Sequence, residues 1–182
     1  MWRNTLESWG LLARLLHWGM AVLILIQLVL GIVALNWPLS PLKLDLFVWH
    51  KSVGMLVLGL ACLRLVWRVS NPVPQLPSDM SGREQLAAKI THGLLYFLLL
   101  ALPLSGWIIN SAANIPFRIF WLIPLPDLIA PDRQLAEVFK TVHAVLVVSL
   151  LVVLALHIAA ALYHHYRRRD TVLLRMGWLQ RN

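Results

Sequence analysis

The sequence predicts an all-α integral membrane protein, a single four-helix bundle spanning residues 1–182 with both termini cytoplasmic. Three observations predict it. Hydrophobic residues make up 59% of the chain and the mean hydropathy is +0.72. Four apolar runs approach or pass the roughly 20 residues that carry a helix across a bilayer. Each run also has a histidine near one end, and the last carries a second one deeper in. A soluble core of 182 residues has no need of four such stretches.

The first helix is expected over residues 12–35, with His17 near its start. It is longer than the apolar part of a signal peptide and no A-x-A-like site follows it, so it is expected to remain in the mature protein. The second is expected over 46–69, opened by His50 and holding the single cysteine, Cys62. One cysteine allows neither an internal disulfide nor the C-x-x-C-H attachment of covalent haem. Asn71 to Gly82 contains Pro72, Pro74 and Pro77 and reads as an extended loop, because repeated proline blocks helix. The third helix is expected over 87–112, with His92 near its head and Pro103 and Gly106 suggesting a kink. Asn114 to Asp132 holds four prolines around the apolar, aromatic patch Phe117 to Leu125, which suits the membrane surface or a cap on the bundle. The fourth helix is expected over 136–166.

Orientation follows from the basic residues near helix ends. Arg3, Arg14, Arg64, Arg68, Arg83, Lys89, Arg167, Arg168, Arg169, Arg175 and Arg181 fall on the side of the termini, against Lys43, Lys51, Arg118, Arg133 and Lys140 on the other. The pI near 10.6 and net charge of +8 therefore express topology and attraction to anionic lipid. No nucleic-acid motif accompanies them, and no nucleic-acid partner is expected.

The chemistry lies in the histidines. His143 and His157 are fourteen residues apart, close to four full turns, so both leave one face of the fourth helix at levels about 21 Å apart. An ionisable side chain inside a membrane helix is costly and usually marks a ligand or a pathway, and imidazole is a common axial ligand of haem iron. By depth, His50 joins His143 on the outer side and His17 joins His157 on the cytoplasmic side. Two pairs at two depths sharing one helix suit bis-histidine ligation of two non-covalent b haems. His92 is a third histidine at the cytoplasmic depth and competes with His17 as the partner of His157. A histidine taken alone is as readily a buried imidazole bonded to backbone. Gly54, Gly93 and Ala159 to Ala161 suit close approach of a flat group or of a neighbouring helix. His164 and His165 lie beyond His157 in the interfacial zone, where an imidazole can bond a quinone carbonyl and move protons, although an ordinary interfacial cluster fits equally. Ser8 offers a further donor there.

The set His17-Trp18, His50 with Gly54, His92-Gly93, Ala101 to Gly106, His143, His157, and His164-His165-Tyr166 with Asp170 and Leu174-Arg175-Met176 resembles the bacterial four-helix cytochrome b561 family over nearly the whole chain. The resemblance implies two b haems in the inner membrane, with His17 and His157 on the cytoplasmic one and His50 and His143 on the periplasmic one. On that basis His92 lines the pocket or bonds a propionate. It further implies electron transfer from the periplasmic side to ubiquinone, with superoxide as the donor or, alternatively, a periplasmic redox protein or quinone-linked dehydrogenase or hydrogenase that the chain serves as an electron-transfer subunit. A haem-free metal carrier is the third reading. Superoxide is an anion, and Lys51, Arg118 and Lys140 are the cations available to steer it. Asp45, Asp127, Asp132 and Glu137 nearly cancel the outer positive charge, so any cationic entrance has to come from the folding.

Overall fold

The computed structural model describes residues 2–75 and 80–177; Pro77 of the expected loop and Arg181 of the basic tail lie outside them. Four long helices run α1 (Leu11–Asn36), α2 (Pro41–Ser70), α3 (Gly82–Ala112) and α4 (Arg133–Tyr163). Each is long and apolar enough to cross a membrane. Between α3 and α4 sits a two-stranded hairpin, β1 (Arg118–Ile119) paired antiparallel with β2 (Ile123–Pro124). α4 runs on into a π-helical turn, His164–Arg168, and a short α5 (Val172–Met176) follows.

α2, α3 and α4 begin three to five residues ahead of the expected ones, and the caps explain it. The Ser40 hydroxyl accepts from Lys43 N with Pro41 in the first turn, and Asp132 accepts from Leu135 N. Ser81 and Glu84 form a reciprocal capping box at the head of α3. The first turns they support are polar, so the apolar runs alone do not reveal them. α3 continues unbroken through Pro103 to Ala112.

α1 packs on α2, α2 on α3 and α3 on α4, around a core of Met20, Val53, Val57, Ala61 and Leu99. α4 is the most apolar span, yet only Ala136 and Leu150 are fully buried on it. It faces α1 and α2 across the two histidine pairs described below.

The described residues before α1 and after α4 lie at one end of the bundle, called here the terminal end. The Asn4 side chain accepts from Gly10 N and donates to Pro72 O, and Gln75 N donates to Leu6 O, which ties the first residues to the α2–α3 connection. Arg14 donates to Gly177 O and the Trp18 indole to Met176 O, so the segment after α4 is held against α1. At the hairpin end, Phe120 N donates to the fully buried Ser52 hydroxyl (2.8 Å) and Leu128 N to that of Ser111 (3.0 Å). Trp49 packs edge-on against Phe120 and Trp121. The expected cap on the bundle is this hairpin, and its turn puts Phe120 and Trp121 at φ 48° and 61°.

Candidate functional site

The histidines meet at two levels. Near the terminal end, α1 presents His17 and α4 presents His157, with ring centroids 6.2 Å apart and planes inclined by 74°. Near the hairpin end, His50 of α2 and His143 of α4 repeat the arrangement at 6.4 Å and 74°. Two imidazoles bonded in line to one metal ion have centroids about 6.4 Å apart, from two metal–nitrogen bonds of about 2 Å and two ring radii of about 1.2 Å. Both pairs match that span. The His92 ring is 5.4 Å from His157, which leaves no such room between them.

Neighbouring side chains set the ring protons. The Ser105 hydroxyl is 2.7 Å from Leu102 O and 2.8 Å from His143 Nδ1. A carbonyl only accepts, so Ser105 gives its one proton to Leu102 and takes the Nδ1 proton of His143. That leaves the Nε2 lone pair of His143 bare, the form in which histidine binds metals. His50 has a buried Nδ1 with no partner among the described residues. Its ring lies against Gly31, where an added Cβ would sit 2.9 Å from His50 Cε1, and the Gln27 amide holds the His50 carbonyl at 2.8 Å. The Gln27 amide nitrogen also lies 3.4 Å from His50 Nε2, so Nδ1 is the ring nitrogen left without a protein partner, and a buried nitrogen of that kind in a pair of the right span fits a group the polypeptide does not supply. At the terminal end an Arg64 nitrogen is 3.0 Å from His17 Nδ1. A guanidinium only donates, so in this contact Nδ1 accepts.

The remaining expected residues are placed as follows. His164 is buried, its Nδ1 against a carboxylate oxygen of Asp170. The π-helical turn and Arg169 in the left-handed region (φ 56°) fold the chain back so that Asp170 N also bonds His164 O. The His165 ring packs edge-on against Tyr166, with centroids 4.8 Å apart. The Ser8 hydroxyl sits 3.1 Å from that of Thr5 in a local turn. Lys51, half-buried beside His50, donates to Asn110 Oδ1 (2.6 Å) and lies over the Phe117 ring. Arg118, next to the Phe117 over which Lys51 lies, is exposed on β1, and Lys140 is tied to Glu137 at 2.7 Å. Gly54 does face a neighbour, Gln27 Nε2 at 3.1 Å from an added Cβ, whereas Gly93 faces open space.

The sequence reading missed Gln27, Gly31, Arg64 and Ser105 as histidine partners and Asp170 as the partner of His164. Only their polarity within apolar runs, or glycine in mid-helix, singled them out.

A family model described as prokaryotic cytochrome b561 matches residues 8–178. The chain belongs to that family. It is accordingly a multi-pass protein of the bacterial inner membrane, a b-type haem protein of electron transfer. Among its relatives, "Cytochrome b561 homolog 2" of Escherichia coli (strain K12) is 30% identical over 178 residues, covering 95% of this chain and 93% of that one. "Probable superoxide oxidase CybB" of Yersinia pestis is 32% identical over 127 residues, 70% of this chain and 72% of the relative. "Cytochrome b561 homolog 1" of Escherichia coli (strain K12) is 28% identical over 127 residues, with the same coverage.

Proposed function

We propose that this family member holds two b haems and passes electrons from the hairpin end, facing the periplasm, to ubiquinone near the terminal end, facing the cytoplasm. His50 and His143 would hold one haem, and His17 and His157 the other. The observation that carries this is the repeated ring separation, 6.2 and 6.4 Å, at two levels of one bundle. The haems supply one-electron redox chemistry when bound. The protein supplies the ligands, their tautomers and a dry path.

Superoxide is the electron donor favoured here. Two superoxide ions give up one electron each and leave as dioxygen; ubiquinone takes the two electrons and two protons to become ubiquinol. Lys51 is the cation best placed to attract the anion, since it adjoins His50 and Asn110 fixes its ammonium. Arg118 and Lys140 add positive charge further out, with Lys140 discounted by Glu137. At the other end His164 is suited to hold a proton at Nε2, because Asp170 takes its Nδ1 side. Ser8 and His165 are further hydrogen-bonding groups of that end. A second reading, electron delivery by a periplasmic protein, is favoured by the hairpin tip. Trp121, Leu122 and Ile123 are exposed there by 44, 76 and 61%.

Adding superoxide to the oxidised protein and following the haem spectrum, then repeating with ubiquinone, tests the donor. Rapid reduction followed by quinone-dependent reoxidation is expected. A spectrum indifferent to superoxide but reduced by a periplasmic extract moves the assignment to the second reading. Haem counting tests the scaffold: wild type should hold two per chain, and His50→Ala or His143→Ala one.

A further inference from the structure

We infer that Arg64, Arg68 and Trp67 form a carboxylate receptor for a propionate of the haem between His17 and His157, an inference that rests on the two-haem reading above. Positions 64, 67 and 68 of α2 stand three and four residues apart, so they share one helix face. The Trp67 indole nitrogen is buried with no acceptor among the described residues. A buried N–H without a partner costs about 1–3 kcal/mol, and structures rarely leave one.

The two arginines lack an anion in the same way. Their guanidinium carbons lie 5.6 and 5.7 Å from the Tyr96 ring centroid, and among the described residues no carboxylate pairs with either. A guanidinium partly withdrawn from water inside a span is costly until an anion neutralises it. Arg64 also touches His17. The arginines without a carboxylate and the unpartnered Trp67 N–H therefore lie together beside His17.

The contact between Arg64 and His17 adds a constraint. Binding a metal through Nε2 puts the ring proton of His17 on Nδ1, which then offers Arg64 no lone pair. The guanidinium must turn to another acceptor, and a carboxylate satisfies it in bidentate fashion. A lipid headgroup phosphate would present similar chemistry from the membrane surface. The haem carboxylate is favoured because the Trp67 N–H on the same face is buried, whereas a headgroup would meet an exposed donor.

The test is a cycle between haem and haem dimethyl ester, whose carboxylates are blocked, titrated into the full chain in detergent. The terminal level is read as the absorbance missing in His17→Ala. Wild type should bind the ester about tenfold or more weakly there, as fits loss of a charge-assisted pair. In Arg64→Met the two forms should bind almost equally, Trp67→Phe should lie between, and Arg64→Lys should keep most of the discrimination. The bound haem of Arg64→Met should also titrate at lower potential, since a cation beside the ring favours its reduced form. The hairpin-level haem of the same sample reports that each variant has folded. Undiminished discrimination in Arg64→Met overturns the receptor, as does equal binding of both forms by wild type. Loss of bound phosphatidylglycerol with haem discrimination unchanged overturns it in favour of the lipid headgroup. Absence of any terminal-level haem in wild type overturns the two-haem reading itself, a result distinct from all of these.

Discussion

A methyl group added at Gly31 would lie 2.9 Å from His50 Cε1 and 3.3 Å from its Nδ1, closer than a rigid ring can accept. Helical glycine costs up to about 1 kcal/mol relative to alanine, so at an indifferent position Gly31→Ala would stabilise α1. Here it should push the imidazole off its line with His143. We expect Gly31→Ala to lose the hairpin-level haem and keep the other, seen as a halved haem count with unchanged helicity. Gly59→Ala, where an added Cβ meets nothing within 4 Å, should keep both haems. Ser105 acts differently, since it orients and does not make room. Without its hydroxyl, the Nδ1 proton of His143 loses that acceptor, and removal of such a partner typically weakens a metal site about 10–100-fold. Ser105→Ala should show that loss in haem titration at the hairpin level, with Ser105→Thr restoring part of it. The histidines themselves were legible in the sequence because spacing on one helix fixes their relative depth. Gly31 and Ser105 were not, since their value depends on the register between helices, which no single helix reveals.

At the scale of elements, the four spans were legible because apolar length is a direct physical requirement of the bilayer, whereas their starts were hidden behind polar caps at Ser40, Ser81 and Asp132. The end of α4 was hidden for another reason. A regular helix would carry His164 on toward the interface. The π-helical turn and the left-handed Arg169 instead bury it against Asp170. Conformations of this kind are costly and tend to be kept where they serve a site. If the turn exists to hold His164 for proton transfer, Asp170→Asn should leave both haem spectra and superoxide-driven reduction intact and slow reoxidation by ubiquinone. His164→Leu should slow reoxidation at least as much. Unchanged reoxidation in both variants would make the turn a structural clasp only. The hairpin offers a comparable test: Ser52→Ala removes the acceptor of Phe120 N, at about 1–3 kcal/mol, and should make residues 117–125 cleavable by protease at lower concentration than in wild type.

For the whole molecule the decisive property is direction. The bundle is polar in two senses, with basic residues crowding the terminal end and the pair of His50 and His143 lying toward the other. If positive charge stays on the cytoplasmic side, electrons enter from the periplasm and the protons that join ubiquinone leave the cytoplasm. Two protons should then be taken from the terminal side for each quinone reduced, without being carried across the bundle. Proteoliposomes in which the terminal end is shielded from added protease provide the test, with a pH-sensitive dye trapped inside and ubiquinone in the bilayer. Superoxide generated outside should raise the internal pH in step with haem turnover. Spontaneous dismutation outside consumes external protons and leaves the internal dye unaffected, so an internal rise reports quinone reduction at the terminal end. His164→Leu should slow the rise while haem reduction stays fast. An external pH change alone, scaling with haem turnover and blocked by substitutions near Lys51, would place quinone reduction at the hairpin end and reverse the direction proposed here.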